Sequence, residues 1–473
     1  MGETFKAAGN PTKGFFINML TRDIELNDAI LDLLDNCLDG VVRIRSRQGK
    51  DRNSSDFYSG YKARIQVTKD SFVIEDNCGG IPLDIARDRA FRMGREESET
   101  PETSATVGIY GIGMKRAIFK IGKSALVRSI TDDVAFTVTI PKGWEKEEDW
   151  FFPIETTDEP LDSTKGTSIT ISDLNEPIQQ MWAEEGHLMT FVKELIGHVK
   201  ESYSLIIERG FQVEINGIEV EPNRVSFIFS DDENGIKPYV YQNQIGNVQI
   251  KLAVGFYAAP PTVDESDSMA ERKPRRSDDA GWTVICNDRV VLYNNKDHLT
   301  GWGENGVPKY HTQFIGIRGI VEFTSNNPSE LPMTTTKRGV DLASPVYSEA
   351  KKRMCEGTKI FTNFTNAWKG TANADTKYFS QSKDVTLIDL VTPKTPDKPQ
   401  IEDIKFSQTR DGGKQFKPNL PKPPKETGDI VWIRFAVKES ECNCVSNYLF
   451  EEERLPNEVG EKCFERILNE AQR

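Results

Sequence analysis

The sequence predicts an α+β protein of more than one domain, and three observations support this class. Helical periodicity alternates with short β-branched runs over residues 14–222, a pattern typical of helices packed against a sheet. A second set of strand-like runs, closed by one long helix, follows over residues 223–373. A proline-rich stretch, residues 374–428, then separates these parts from a short C-terminal segment, residues 429–473.

Composition and charge narrow the class of protein further. The chain has 473 residues, of which 28% are charged, and its formal net charge is -13. This balance excludes wholesale electrostatic binding to nucleic acid but leaves room for a local basic patch. No run approaches the roughly 18 apolar residues of a membrane span, and the opening sequence MGETFKAAGNPTKGFF lacks the apolar core of a secretory signal. We therefore expect a soluble, cytoplasmic protein.

The first domain, residues 14–222, is predicted to contain two long helices and several strands. One helix spans residues 24–45, with an apolar face made by Ile30, Leu33, Leu34, Cys37, Leu38 and Val41. The other spans residues 187–208 and precedes a hairpin with Asn216-Gly217 at its turn. Between the helices, β-branched runs predict strands at Ala63–Val67, Ser71–Ile74, Val134–Ile140 and Ser168–Ile171.

The second domain, residues 223–373, is predicted to be a further α+β layer. A helix over Val346–Phe364 follows strand-like runs at Val225–Phe229, Val248–Tyr257, Trp282–Tyr293 and Ile315–Phe323. A polar segment between two of these runs carries the basic cluster Arg272–Arg276. We interpret this segment as a solvated surface loop, with phosphate contact as the alternative.

Beyond the second domain, the chain is predicted to form a tether and a small module. Residues 374–428 are rich in proline and lysine, a composition that favours an extended chain. Residues 429–473 combine a strand-like run, VWIRFAV, with a helix over Glu458–Ala471. We expect these last residues to form a small βα module.

The predicted helix at 24–45 carries its chemistry on the face opposite the apolar one. Asp28, Asp32, Asp35, Asn36 and Asp39 recur there at steps of three and four, and no Lys or Arg interrupts them. Like charges at this spacing repel, so the face requires a cation or a basic partner. Oxygen ligands of this kind suit Mg²⁺, which is usually held by one or two protein oxygens and a ligand's phosphates. The alternative is an ordinary solvated acidic face.

Two glycine-containing segments follow this helix. In the first, a predicted strand runs into Glu75-Asp76-Asn77-Cys78-Gly79-Gly80, where glycines indicate a close backbone approach. In the second, Gly108, Gly111 and Gly113 precede an apolar helical run that begins with Met114-Lys115. Glycines that open a helix expose its N–H groups, which can bind phosphates. Close packing of the helix on a strand is the alternative explanation.

In this order, the acidic Asn-bearing helix, the Asp–Gly turn, the glycine loop and Lys165-Gly166-Thr167 resemble the four motifs of the GHKL ATPase superfamily. This superfamily includes gyrase B, the ninety-kilodalton heat-shock chaperones, histidine kinases, MutL and the MORC proteins. The resemblance covers roughly residues 14–222. It implies a Bergerat-type fold, a two-layer α/β sandwich that binds ATP with Mg²⁺, and activity as an ATP hydrolase.

The resemblance assigns roles to two residues of the first motif. Asn36 matches the Asn that holds Mg²⁺ against the phosphates, and Asp32 takes the place of the general base, which is usually Glu. Asp is one methylene shorter than Glu, and a base must come within about 2.6–3.2 Å of the water that it deprotonates. A slow or tightly gated ATPase is one expectation, and a backbone shift that compensates for the shorter side chain is the alternative.

The other motifs supply nucleotide-binding residues by the same resemblance. Asp76 matches the Asp that contacts adenine, while Cys78 stands where the first Gly of that motif is usual. Thr167 matches the Thr that helps to bind this Asp. Gly80 matches the second Gly of the second motif. The third motif is expected to wrap the phosphates with Gly108, Gly111, Gly113 and Lys115.

The second domain resembles the transducer domain of gyrase B and MutL, which supplies a Lys to the γ-phosphate. Lys337 in the basic loop Leu331–Gly339 is the candidate for this residue, and Arg338 is the second choice. A transducer implies a homodimer that closes on ATP. Two classes of partner remain open. The first is DNA, bound by a MORC- or MutL-like clamp in repair or defence, and the second is the protein clients of a chaperone-like ATPase. A nucleotide-binding scaffold with little hydrolysis is a third possibility.

Overall fold

The structure of the protein is a computed structural model. It describes residues 12–92, 111–157, 164–232, 235–260, 279–334, 336–369, 378–379, 382–391, 404–423, 433, 436–450 and 452–472. The chain divides into two compact units, one up to Pro423 and one from Pro424 onwards. Among the described residues, no helix is long and apolar enough to cross a membrane.

The first part of the larger unit is a mixed sheet covered by helices, which confirms the predicted α+β class. Its helices are α1 (Lys13–Arg22), α2 (Leu26–Arg47), α3 (Leu83–Ile85), α4 (Gly113–Ile121), α5 (Glu176–Ala183), α6 (Glu185–Ser202) and α7 (Ser204–Glu208). Its strands are β1 (Lys62–Val67), β2 (Phe72–Asp76), β3 (Gly122–Ile130), β4 (Ala135–Ile140), β5 (Ile154–Thr157), β6 (Gly166–Leu174), β7 (Gln212–Ile215) and β8 (Ile218–Glu219).

These eight strands form one sheet in the order β5-β4-β3-β6-β2-β1-β7-β8. The pairings are antiparallel except for β1 with β7, which run parallel. On β1, buried residues alternate with exposed ones, so one face of the sheet turns toward the helices. The apolar face of α2 and the buried side of α4 complete this core, and the Asp-bearing side of α2 is left for the site.

The predicted helix over residues 187–208 is broken in the structure. The break falls at Tyr203, which separates α6 from α7 and leaves helical geometry with φ of -120°. The Tyr203 side chain is buried, and its hydroxyl donates a hydrogen bond of 2.8 Å to Asp35 on α2. The kink therefore places the Tyr203 hydroxyl against the acidic face. Helical periodicity does not predict this contact, because it depends on the tertiary structure.

The second part of the larger unit is built on a seven-stranded sheet. The strands of this sheet are β10 (Tyr239–Ile245), β11 (Val248–Phe256), β12 (Gly281–Cys286), β13 (Arg289–Asn295), β14 (Ile317–Thr324), β16 (Ser407–Gln408) and β17 (Lys414–Phe416), and two further strands, β9 (Ser226–Phe229) and β15 (Lys383–Thr386), lie outside it. The sheet order is β13-β12-β14-β11-β10-β17-β16, and β9 pairs separately with β15. Helix α8 (Pro345–Trp368) packs on β10, β11 and β14.

Parts of the predicted tether are folded. Strand β17 pairs with β10, β15 pairs with β9, and α9 (Leu387–Val391) buries Leu387 and Leu390 in an apolar cluster with them. The indole of Trp368 donates a hydrogen bond of 3.1 Å to the carbonyl of Pro421. Composition predicted an extended chain, but backbone pairing with a distant strand needs no hydrophobic periodicity and so leaves no local signal. The basic cluster at 272–276 lies outside the described residues.

In the described residues of the smaller unit, the secondary structure consists of two helices, α10 (Glu439–Phe450) and α11 (Pro456–Ala471). Helix α11 begins two residues before the predicted helix and ends where it was expected to end. Most of the strand expected at VWIRFAV lies outside the described residues, and its described positions form no strand.

The tip of the β12–β13 hairpin in the second sheet is anchored on the first part of the unit. Asp288, at the turn, accepts hydrogen bonds from Arg209 (2.8 Å), Arg52 (3.2 Å) and Tyr58 (2.6 Å). The Asp288 side chain is buried, and its φ of 69° lies in the left-handed region. Burial alone would raise the pKa of Asp288, but Arg209 and Arg52 hold that pKa below its ordinary value. A buried, charge-paired carboxylate therefore joins the two sheets.

We expect the substitution Asp288→Asn to lower the free energy of unfolding by about 3 kcal/mol, because it leaves the guanidinium of Arg209 buried without its counter-charge. Asn tolerates the left-handed backbone as well as Asp does, so backbone strain is unchanged. The measurement is urea unfolding at pH 7.

The control is Asp231→Asn, since Asp231 pairs with Lys383 at the surface and should change the unfolding midpoint little. Because the folded-state pKa of Asp288 is depressed, its contribution is present at neutral pH and is lost as the pH falls below the ordinary value of 3.8. The free energies of unfolding of the wild type and of Asp288→Asn should therefore converge in acid. A difference that stays constant with pH would contradict the assignment.

Candidate functional site

The acidic face of α2 is buried rather than solvated, so it is not an ordinary surface charge run. Exposure is 6% for Asp32, 1% for Asp35 and 8% for Asp39, whereas Asn36 between them is exposed. The Asn36 amide donates a hydrogen bond of 2.9 Å to the backbone oxygen of Asp32, one turn earlier. Buried carboxylates thus surround a single accessible amide.

Cations from three distant segments neutralise these carboxylates. Lys337, in the loop between β14 and α8, places its ammonium 2.6 Å from Asp35 Oδ2 and 3.3 Å from Asp32 Oδ1. Arg116, in the first turn of α4, forms an ion pair with the other oxygen of Asp32. Arg289, at the start of β13, places Nε 3.2 Å from Asp35 Oδ1. The structure therefore brings the two predicted catalytic residues, Asp32 and Lys337, into direct contact.

The ionisation of this cluster follows from its pairing. Burial alone would raise the pKa of Asp35, but Lys337 and Arg289 outweigh it and lower that pKa. Burial alone would also lower the pKa of Lys337, but Asp35 and Asp32 raise it. Both groups are therefore charged at neutral pH. Arg338, the second choice for the phosphate-contacting cation, instead forms an ion pair with Asp28 further along the acidic face.

Asp76 lies at the end of β2, where the strand enters the glycine turn. Its Oδ1 accepts hydrogen bonds from the backbone N–H groups of Cys78 (2.7 Å) and Thr167 (3.2 Å). Thr167 contacts this carboxylate through its backbone N–H. The role in binding the Asp that the resemblance implies for Thr167 stays a prediction. Burial raises the pKa of Asp76. The N–H donors hold Oδ1 in place, and the buried thiols of Cys37 and Cys78 also lie against this carboxylate.

The turn after Asp76 explains why Cys can replace the usual glycine. Positive φ angles occur at Gly79 (86°) and Gly80 (73°), but not at Cys78. The substitution at Cys78 therefore carries no backbone strain. Close approaches are made by Gly80, which packs against the Ile130 backbone, and by Gly40 of α2, where an added Cβ would lie 2.6 Å from the Cys78 carbonyl oxygen. The acidic helix and the Asp–Gly turn are thus in tight contact.

The glycine loop is described only in part, because Gly108 lies outside the described residues. Gly111 has a φ of 64°, and Gly113 begins α4 directly against Asp32. A Cβ at Gly113 would lie 3.2 Å from that of Asp32, so glycine allows the N-terminus of α4 to approach the acidic face. Lys115 is buried, and its ammonium donates hydrogen bonds to the carbonyls of Ala90 (2.8 Å) and Gly111.

Sequence reasoning missed three residues of this site: Arg116, Tyr203 and Arg289. Arg116 directly follows Lys115, and the helical turn directs it to Asp32 while Lys115 holds the loop backbone. The adjacent basic pair was the available signal for Arg116. Tyr203 and Arg289 carry no local signal, because their contacts to Asp35 span long sequence separations.

Residues 24–169 match the family model described as histidine kinase-, DNA gyrase B-, and HSP90-like ATPase. The match contains α2, the Asp76 turn, the glycine loop and most of the sheet strands. It supports the assignment of this domain to the GHKL ATPases, and with it ATP binding. No curated protein matches the chain. Within the described residues, no group of three or more His, Cys, Asp or Glu is arranged to hold a metal ion.

The substitution Gly80→Ala should destabilise the protein more than Gly246→Ala. Both glycines have positive φ, at 73° and 58°, so each alanine incurs a backbone cost of about 1–2 kcal/mol. At Gly80 the added Cβ would also overlap the backbone oxygen of Ile130, whereas nothing lies within 4 Å at Gly246. Overpacking should add roughly 1–3 kcal/mol at Gly80. Urea unfolding measures the difference, and equal losses would show that the Asp76 turn tolerates a side chain.

Proposed function

We propose that this protein is a Mg²⁺-dependent ATP hydrolase of the GHKL class, in which ATP binding and hydrolysis drive a conformational cycle. The observation that carries the proposal is the contact of Lys337 with Asp32. A cation from the second sheet meets the candidate base of the first domain, on the helix that also presents Asn36. Hydrolysis and the relative position of the two sheets can be coupled through this contact.

The chain offers groups that fit each part of ATP. Asp76, fixed through one oxygen, can accept a hydrogen bond from the adenine amino group with the other. The N-terminus of α4, opened by Gly111 and Gly113, can bind phosphate through its N–H groups. Asn36 can supply one oxygen to Mg²⁺, which commonly takes its remaining ligands from water and the nucleotide's phosphates. No preformed metal cage is needed for this mode of binding.

The pairing of Asp32 indicates how turnover would be controlled. One oxygen of Asp32 contacts Arg116 and the other contacts Lys337, so both acceptor positions are occupied by cations. A general base needs a free oxygen within about 2.6–3.2 Å of the attacking water. Movement of Lys337 toward the γ-phosphate would free that oxygen and stabilise the negative charge of the transferred phosphoryl group. Because Lys337 would leave Asp32 only for a γ-phosphate, Asp32 would become free to act as a base only when ATP is bound.

The same contacts favour a second candidate, a nucleotide-binding scaffold with little hydrolysis. If Lys337 remained on Asp32 with nucleotide bound, binding would not lead to turnover. A matched pair of variants separates the two candidates. Asn36→Ala removes the proposed Mg²⁺ ligand, and Asp32→Asn removes the base while it keeps the shape of the side chain.

For an ATPase, Asp32→Asn should reduce turnover by roughly 100-fold or more while it retains nucleotide affinity, whereas Asn36→Ala should abolish binding of Mg²⁺-ATP. Phosphate release measures turnover, and isothermal calorimetry measures affinity. The exposed control, Asp231→Asn, should behave like the wild type. Binding without turnover in the wild type would favour the scaffold, and unchanged affinity in Asn36→Ala would contradict the metal assignment.

For the partner, we propose a homodimeric, MORC- or MutL-like clamp that associates with DNA, with protein clients of a chaperone-like ATPase as the alternative. The basic residues of the loop at 272–276 and of the segment 374–428 support DNA over a client. ATPase activity should then rise when DNA is added. DNA affinity should fall steeply with salt, by about one unit of log–log slope per phosphate contact. A flat salt dependence with a stimulating unfolded protein would favour the chaperone-like alternative.

A further inference from the structure

Asp35 is the most deeply buried carboxylate of the acidic face, and in the proposed cycle it loses one of its two counter-ions. Its Oδ2 lies 2.6 Å from the ammonium of Lys337. Under the proposed function, on which this inference rests, Lys337 leaves Asp35 to reach the nucleotide. A carboxylate that is 1% exposed cannot be left unpaired without a severe penalty. Some other group must hold its charge when Lys337 is withdrawn.

Arg289 is placed to hold that charge. Its guanidinium is 3% exposed and lies over the ring of Tyr203, with 4.3 Å between the guanidinium carbon and the ring centroid. Nε is 3.2 Å from Asp35 Oδ1, the oxygen that Lys337 does not use. The Tyr203 hydroxyl donates to the same oxygen at 2.8 Å. Each oxygen of Asp35 therefore has its own cation.

Arg289 also has two side-chain nitrogen atoms that donate no hydrogen bond within the described residues. Its Nε and Nη1 atoms are buried and have no hydrogen-bond partner in the described part of the chain, because the ion pair to Asp35 lacks hydrogen-bond geometry. Buried donors without acceptors are rare in folded proteins. A small shift of the Asp35 carboxylate toward Arg289 would bring Oδ1 into hydrogen-bond geometry with Nε, and this shift becomes favourable once Lys337 no longer attracts the opposite oxygen.

The position of Arg289 does not depend on the loop that carries Lys337. Arg289 directly follows Asp288, which is tied to Arg209 and Tyr58 of the first domain by buried hydrogen bonds. The Lys337 loop is held separately, by a hydrogen bond of 3.1 Å between the backbones of Thr334 and Gly339. The Lys337 side chain can therefore change partners while the hairpin tip stays anchored on the first domain.

We propose that Arg289 is a positioning residue for ATP hydrolysis, the second counter-ion of Asp35 that allows Lys337 to leave the acidic face for the nucleotide. Without Arg289, Asp35 would retain Lys337, since no other described cation contacts it. Arg289 itself touches neither the nucleotide nor the attacking water in this proposal. It acts through Asp35 and Lys337.

The test compares binding of ADP with binding of a non-hydrolysable ATP analogue, AMP-PNP, by calorimetry in Mg²⁺ buffer. Lys337 can reach only a nucleotide with a γ-phosphate, so its release appears as a preference for AMP-PNP over ADP. In Arg289→Met this preference should fall by roughly tenfold, the scale of one strong pairwise coupling, while ADP affinity stays near the wild-type value. Turnover should fall in parallel with no matching rise in KM for ATP.

Neutralising Asp35 should suppress the defect. In Asp35→Asn, the side chain no longer retains Lys337 and needs no counter-ion, so Arg289 becomes irrelevant to the preference. Asp35→Asn and the double variant Asp35→Asn/Arg289→Met should therefore show the same preference for AMP-PNP. This comparison does not require Arg289→Met itself to fold. Arg289→Lys, which keeps the charge, should retain most of the preference.

The matched control is Arg318→Met. Arg318 is also a buried arginine, lies 4.3 Å over the ring of Tyr257 and pairs with an aspartate, Asp279, but it does not contact α2. Its loss should leave the AMP-PNP preference unchanged. If Arg289→Met weakens ADP and AMP-PNP equally, or if the double variant differs from Asp35→Asn, the inference is wrong and the proposed ATPase stands. If the wild type binds neither nucleotide, the proposed function and this inference both fail.

Discussion

The structure depends on the neutralisation of a row of buried carboxylates on helix α2. Three carboxylates on one helical face, those of Asp32, Asp35 and Asp39, cannot be buried together unless cations neutralise them, and the cations come from α4, from the β12–β13 hairpin and from the loop before α8. Breaking one partner of such a buried set typically costs about 3–5 kcal/mol. The two sheets are therefore joined through the charges of α2 as well as through apolar contact.

This arrangement places structure and proposed chemistry on the same atoms. Lys337 contributes to the folded state by pairing with Asp35 and Asp32, and hydrolysis would require it to give up part of that pairing. Its φ of 57° is unusual for a residue with a side chain and is held by the loop around it. A ligand that attracts Lys337 more strongly than α2 does would shift the position of this loop. Nucleotide binding could thereby affect the second sheet, to which this loop is connected.

Much of the first domain could be predicted from the chain because its signals are local. The apolar spacing of α2, the Asp–Gly turn after β2 and the glycines before α4 each lie within a short stretch, and together they match a known family. The second sheet was predicted in outline from β-branched runs. Strands β16 and β17, which join this sheet, and β15, which pairs with β9, were not predicted, since a lysine- and proline-rich segment forms them through backbone pairing.

The sequence by itself determined the acidic face, the place of Asn36 on it and the glycines of the Asp76 turn and the phosphate loop, because helical spacing and backbone freedom are properties of short segments. Only the tertiary structure decided which cation meets which carboxylate. Lys115 turned to backbone carbonyls, Arg116 and Lys337 turned to Asp32, and Arg289 reached Asp35 from a hairpin more than half the chain away. Charge pairing depends on distance in space, which residue order along the chain does not encode.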